Sequence, residues 1–205
     1  MNEQRTEEWF AARLGKVTAS KVSDVMAKTK SGYAATRTNY MMTLLCERLT
    51  GKREDFYVNA AMQRGTDLEP NARSVYEAES GLLVSETGLV IHQNIENFGA
   101  SPDGLVGSDG LLEIKCPNTA THIEFLRTGK PDNKYQWQML AQMACTGRQW
   151  CDFVSYDDRL PFALQYSCIR FERDNSRIAE MESEIIKFLA ELSDIEAEMT
   201  TKMVA

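Results

Sequence analysis

Between Gly81 and Pro117 the chain divides into three short β-prone runs, "GLLVSETGLVIHQ", "FGASPDGLVG" and "GLLEIKCP", parted by Gly, Asn and Ser. Apolar runs of this length bounded by turn formers read as three strands of one meander. What surrounds them is helical in pattern. Upstream, Thr6 is placed to cap a short helix that buries Trp9, Phe10 and Leu14 and stops at Gly15, and Thr18 or Ser20 can cap a second. "KTKSGYAATRT" reads as a basic loop, and "NYMMTLLCERLTG" as a helix ended by Gly51. Asn59 to Ser80 is helical again, with Gly81 as its stop. A break near Gly65 to Asp67 is expected there, because Pro70 is tolerated in a first turn if Asp67 caps a fresh start. Downstream come two helical stretches, about Thr119 to Arg127 and Asn133 to Cys145, two strands in "WCDFVSYD" and "ALQYSCIRFER", and a final helix. This order predicts an α/β fold, a central mixed β-sheet flanked by helices.

The final helix carries Ile178, Met181, Ile185, Phe188, Leu192, Ile195 and Met199 at alternating spacings of three and four, one narrow apolar stripe. Packing on the sheet would cover it, and so would a second subunit. With 205 residues the chain is expected to form a single domain, 1–205. No apolar run approaches the roughly 18 residues that span a bilayer, and the start "MNEQRTEEWF" is too polar for a secretory signal, so a cytoplasmic location without membrane partners is expected. The five cysteines are scattered without a CxxC pair, and only His92 and His122 are present. A disulfide framework or a zinc site is thereby disfavoured, and any hard metal would have to sit on carboxylates.

Net charge is −7, which counts against a polyanionic partner unless the charge is unevenly spread. It is: residues 1–53 hold ten Lys and Arg against five Asp and Glu, whereas residues 172–205 hold four against nine. The asymmetry allows a basic face, and equally allows solvated helices of differing composition.

Chemistry concentrates in "SPDGLVGSDGLLEIKCP", Ser101 to Pro117. Residues two apart on a strand share a face, so Glu113 and Lys115 lie side by side while Ile114 points into the core. A turn near Gly107 to Gly110 brings Asp103 back toward Glu113. Two converging carboxylates call for a cation between them, and Mg²⁺ or Mn²⁺ takes carboxylates, a carbonyl such as that of Ile114, and water. Lys115 would then hydrogen-bond the attacking water, ease its deprotonation and aim it at phosphorus. This is an arrangement for phosphodiester hydrolysis. The plain alternative is a turn aspartate and an exposed Glu-x-Lys ion pair. Arg13 beside a hydroxyl-bearing helix start would likewise make an anion pocket, or else be an arginine at a helix end near an ordinary cap.

"RLGKVTAS", "RGTDLEPNAR", "SPDGL", "LEIKCP", "YQWQ" and "FVSYDDR" occur in this order through most of the chain. In these segments the chain resembles the phage lambda exonuclease group, the YqaJ-like viral recombinase family of alkaline exonucleases, within the restriction-endonuclease-like nuclease superfamily. The resemblance implies that Asp103, Glu113 and the Ile114 carbonyl ligate metal, with two ions per site and Mn²⁺ as a substitute for Mg²⁺. It implies further that Lys115 is the catalytic lysine, that Glu69 is the helical acid supporting a metal position, and that Gln138 contacts the site. Arg13, with Thr18 and Ser20 as nearby donors, would grip a 5′-phosphate. Also implied are 5′-to-3′ digestion of one strand of linear duplex DNA to mononucleotides, a ring-shaped homotrimer, a single-strand annealing protein as recombination partner, and a phage or prophage origin in a bacterial host. Lys28, Lys30, Arg37, Tyr40 and Met41 are candidates for tracking or prising the duplex. The rival readings are a structure-selective or restriction-type endonuclease with the same metal site, and a DNA-binding subunit without chemistry.

Overall fold

The computed structural model describes residues 4–53 and 59–204, the last two for backbone alone; the expected limits 1–205 thus extend over residues 1–3, 54–58 and 205, which lie outside it. Helices are α1 (Glu7–Arg13), α2 (Val22–Val25), α3 (Ala35–Thr50), α4 (Ala60–Ser80), α5 (Thr119–Thr128), α6 (Asn133–Thr146) and α7 (Asn175–Val204). The strands are β1 (Val17–Thr18), β2 (Lys28–Thr29), β3 (Gly32–Tyr33), β4 (Val84–Ser85), β5 (Val90–Ile91), β6 (Phe98–Ala100), β7 (Gly104–Val106), β8 (Gly110–Lys115), β9 (Trp150–Tyr156) and β10 (Tyr166–Glu172). Single 3-10 turns occupy Ala19–Lys21 and Phe162–Leu164.

The main sheet has the order β10-β9-β8-β7-β4. Only β8 and β9 run parallel; their crossover contains α5 and α6, as a parallel pair requires. The mixed sheet flanked by helices is therefore present, but the single meander is not. β5 and β6 leave it to form a second sheet with β1, which lies parallel to β6. β6 is buried along its length between those two neighbours, and Gly99 leaves no room for a side chain, since a Cβ there would stand 2.9 Å from Leu89 Cδ1.

Strand alternation places two cores on the main sheet. Leu112, Ile114, Val154 and Tyr156 face α4, where Ala72 and Tyr76 are buried. Leu111, Cys151 and Phe153 face the opposite way, into a core with Met139, Leu140 and Met143 of α6. The α7 stripe belongs to this second core: Ile178, Met181, Ile185, Phe188 and Leu192 are buried there, with Ile195 and Met199 packed partly against them. Its partners are α2, α3 and α6 rather than the sheet. One helix layer thus covers another, and the stripe is satisfied within the chain.

Part of the uneven charge is paired in the same place. Lys28 meets Glu184 at 3.2 Å, Arg37 grips Glu191 with two bonds of 2.7 and 2.9 Å, and Arg48 meets Glu196 at 2.9 Å. Three of the ten cations of residues 1–53 are thereby paired with the acidic last helix.

Three local expectations are corrected. α4 runs unbroken through Pro70, and Asp67 accepts from Gln63 at 2.8 Å instead of capping a new helix; the cap is Asn59, on the Met62 N–H. A mid-helix proline costs about 3 kcal/mol, and burial of Ala72 and Tyr76 against the sheet is what holds the last turns in place. Thr18 makes no side-chain cap bond, and Ser20 lies within the 3-10 turn. Trp9, Phe10 and Leu14 are half-buried, because α1 lies along a cleft instead of sinking into the core.

Candidate active site

β7 begins at Gly104, opposite Leu112, while β8 continues to Lys115, so the last residues of β8 lack a strand neighbour on that edge. Asp103 takes the place of one. Its Oδ2 accepts the Ile114 N–H at 2.7 Å. The N–H and C=O of one residue in an extended strand point to the same edge, so the Ile114 carbonyl faces the gap where Asp103 sits. Meanwhile the Ile114 side chain is buried against α4 and anchors the strand.

Glu113, on the other face, is fully buried. Gln138 Nε2 donates to its Oε1 at 2.7 Å, Gln142 Nε2 donates to its Oε2 at 2.5 Å, and the Lys115 ammonium pairs with Oε1. Gln138 and Gln142 stand one turn apart on α6, so one helix face holds both oxygens of the carboxylate. The Lys115 ammonium lies 5.2 Å from the Tyr135 ring centroid.

Electrostatically the cluster is under load. Burial first, and then the neighbouring Glu113 charge, push the Asp103 carboxyl well above the ordinary carboxylate range. For Lys115 burial works downward, but the Glu113 and Asp103 charges outweigh it and the ammonium titrates higher than usual. Lys115 is therefore a donor and a positive charge, held protonated by its partners.

Glu69 reaches the rim from α4, where its charge adds to the upward push on Asp103. Its carboxylate is paired with Arg5 at 2.5 Å and with Arg73 at 3.8 Å. Arg73 in turn donates to the Asp103 carbonyl at 3.1 Å and pairs with Glu86.

Among the described residues no group of three or more His, Cys, Asp and Glu side chains could hold a metal ion. The available set is the Asp103 carboxylate and the Ile114 carbonyl at the strand edge, with the Glu113 carboxylate near enough for its charge to act on Asp103, all hard oxygen donors. Mg²⁺ is commonly bound through one or two carboxylates and keeps several waters, so this set fits it. A cation would also relieve the Glu113 repulsion that adds to burial in raising Asp103.

Next to this gap lies a cleft of about 630 Å³ lined by Trp9, Arg13, Lys16, Thr18, Ser20 and Arg53. Arg13 stacks on Trp9, 4.1 Å from the ring centroid, and burial lowers the pKa of its guanidinium, which marks a cation stripped of water. Ser101 Oγ accepts from Trp9 Nε1 at 2.9 Å and lies 3.4 Å from Arg13 Nη1. Ser101 precedes Asp103 by two residues, so the cationic cleft and the carboxylate gap share one piece of backbone.

The structure brings Asp103, Glu113, Ile114, Lys115 and Gln138 together, sets Glu69 beside them, and collects Arg13, Thr18 and Ser20 in the cleft. It does not assemble a duplex-tracking surface from the basic segment. Arg37 is 3% exposed and locked onto Glu191, with Tyr33 and Phe188 at its faces. Met41 is core, and the buried Tyr40 hydroxyl accepts the Thr18 N–H at 3.2 Å, its pKa pushed up to about 12 by burial. Lys28 is paired with Glu184, so of this set Lys30, at the turn of the β2–β3 hairpin, is the one that is exposed and makes no ion pair among the described residues. Gln142, Ser101 and Trp9 escaped the sequence reading. The first was signalled by its spacing of four from Gln138, the second by its spacing of two from Asp103; nothing in the pattern marked Trp9 as more than core.

A phage-related exonuclease from Haemophilus somnus 129PT shares the fold, with a TM-score of 0.68, 17% identity, and coverage of 92% of this chain and 96% of that one. Much nearer is the alkaline exonuclease LHK-Exo from Laribacter hongkongensis: TM-score 0.92, 62% identity, 97% of this chain and 98% of that one. Its complex with dAMP superposes equally well, with the same TM-score of 0.92. Among curated proteins none matches. The model of the YqaJ-like viral recombinase domain matches residues 8–149, which include all of α1 but Glu7, the Arg13 cleft and every member of the carboxylate cluster. The chain belongs to the YqaJ-like viral recombinase domain family.

Proposed function

We propose that this protein is a Mg²⁺-dependent exonuclease that digests one strand of linear duplex DNA from its 5′ end, releasing mononucleotides and leaving a 3′-terminated single strand. One observation carries the reading: Ser101 and Asp103 join an arginine-bearing cleft to a carboxylate gap over two residues of chain. An enzyme that cuts at the end needs an anion grip at a fixed, short distance from its hydrolytic centre. The relative LHK-Exo is an alkaline exonuclease known in complex with dAMP, a deoxynucleoside monophosphate of the kind such a reaction releases.

Asp103, Glu113 and the Ile114 carbonyl would hold divalent metal, with Glu69 supporting a second position. Such an ion would supply Lewis-acid stabilisation of the charge that develops during hydrolysis. Gln138 and Gln142 keep the Glu113 carboxylate in one orientation. Lys115, held as an ammonium, donates to the attacking water and favours its loss of a proton by charge. Arg13, flat against Trp9, takes the terminal 5′-phosphate with Ser101, Thr18 and Ser20 as further donors. Lys30 is the remaining candidate on the hairpin for contact with the duplex.

We further place the enzyme in the bacterial cytoplasm as a phage or prophage product, assembled as a homotrimeric ring and working with a single-strand annealing protein. Among the described residues no helix is long and apolar enough to cross a membrane. Enclosure of DNA by a ring would let an acidic protein hold a polyanion with few cations.

The test uses linear duplexes carrying 5′-phosphate or 5′-hydroxyl on defined strands, with and without Mg²⁺, and reads the products by strand. Loss from phosphorylated 5′ ends only with metal is expected. Shortening of 3′ ends first would overturn the polarity, and cutting of closed circles would favour an endonuclease.

A further inference from the structure

Arg5 is the one non-glycine residue with a left-handed backbone among the described residues, at φ 68°. An L side chain resists that conformation, which persists only where its surroundings impose it. Here they do. Gln4 Nε2 donates to the carbonyls of Pro102 at 2.7 Å and Thr87 at 2.9 Å, while Thr6 Oγ1 accepts the Trp9 N–H at 3.2 Å and caps α1. Between these anchors the chain bends and delivers the Arg5 guanidinium to Glu69 Oε2 at 2.5 Å. The strap starts beside Asp103 and ends on the helix that carries Trp9 and Arg13.

The two partners differ in their need for each other. The Glu69 side chain is 16% exposed and requires a cation, whereas that of Arg5 is 48% exposed and can return to water at small cost. Arg73, also paired with Glu69, stands farther off at 3.8 Å and is bound as well to the Asp103 carbonyl and to Glu86. We propose that Arg5 is a placeholder cation: its guanidinium neutralises Glu69 in the metal-free protein and must leave that carboxylate for a divalent ion to take it, so Arg5 sets the affinity of the site. This rests on the reading of Glu69 as a carboxylate of the metal centre.

The experiment is Mn²⁺ binding to the full chain without DNA, followed by the electron paramagnetic resonance of free Mn²⁺. Arg5→Asn removes the charge while keeping a residue that tolerates the left-handed backbone; Arg5→Lys keeps the charge. Arg5→Asn is expected to bind Mn²⁺ roughly two- to fivefold more tightly, the range an exposed ion pair spans. Arg5→Lys should stay near the parent, Glu69→Gln should bind more weakly, and Arg5→Asn should add nothing in a Glu69→Gln background. Unchanged or weaker binding by Arg5→Asn, beside a weakened Glu69→Gln, would overturn the placeholder and leave Glu69 its role. Tightening that persists without Glu69, or that Arg5→Lys reproduces, would overturn it too. Parent-like binding by Glu69→Gln would remove the metal reading of Glu69 and the placeholder with it.

Discussion

Asp103 accepts the Ile114 N–H at 2.7 Å, so a side chain completes the edge of β8 at the level where β7 is absent. A carboxylate used as a strand partner is fixed in orientation by the fold, and the carbonyl beside it is left facing the same gap. Structure and chemistry therefore depend on different features of one group, its accepting oxygen and its charge.

Replacing the carboxylate by an amide separates the two. Asp103→Asn retains an oxygen for the Ile114 N–H and removes a charge that burial and Glu113 both disfavour. The variant is expected to unfold in urea at the same concentration as the parent or a higher one, while exonuclease activity falls by about 10²- to 10³-fold. Loss of stability together with activity would mean that the charge, and not the accepting oxygen, supports the strand.

Gln142 is fully buried and donates to Glu113 Oε2, which is buried as well. Gln142→Leu keeps the approximate volume and leaves that oxygen without its donor, at a cost of about 1–3 kcal/mol. Urea unfolding should show this loss, and calorimetry should show weaker Mg²⁺ binding, because Glu113 is no longer held on both oxygens. Parent-like values in both measurements would show that Gln138 and Lys115 suffice.

Asp157 links α4, α5 and the loop after β9: Arg64 donates to it at 2.9 Å, Thr119 at 2.7 Å and Arg159 at 2.7 Å. Burial alone would raise its carboxyl, but the hydrogen bonds from Arg159 and Thr119 win and hold it well below the usual carboxylate range. A folded pKa below the unfolded one adds stability above the unfolded value, about 3.9, and the gain fades as pH falls through the folded value. The stability gap between the parent and Asp157→Asn should accordingly be widest near neutral pH and shrink in acid. Urea titrations at several pH values between 7 and 3 would check it; a gap that widens on acidification would contradict the assignment.

Much of the fold was legible because it is written in local punctuation. Gly51 and Gly81 close α3 and α4 in left-handed conformations, φ 66° and 70°, as helix-ending glycines do. The Glu113–Ile114–Lys115 alternation was equally readable, since strand geometry alone sends Ile114 to one side and its neighbours to the other. The departure of β5 and β6 to a second sheet was not, because β5 is only two residues long and leaves no periodicity to read. The fate of Arg37 was hidden for another reason. Its partner Glu191 lies 154 residues further along, and no local pattern distinguishes an arginine that meets DNA from one that meets a distant carboxylate. Gln142 shows the same limit at the site, since a polar residue on a buried helix face gains meaning only once Glu113 is known to lie opposite.

The Lys115 ammonium, paired with Glu113 and acted on by the Asp103 charge, is proposed to assist hydrolysis at a metal that those carboxylates would hold. Nucleotide release from a 5′-phosphorylated linear duplex tests it most directly, measured in Mg²⁺ and in EDTA for the parent and Lys115→Ala, with Mn²⁺ binding recorded for both. Release by the parent in Mg²⁺ alone is expected, with a loss of about 10²-fold or more in Lys115→Ala and Mn²⁺ still bound. Release by Lys115→Ala at the parent rate, or by the parent in EDTA, would contradict it.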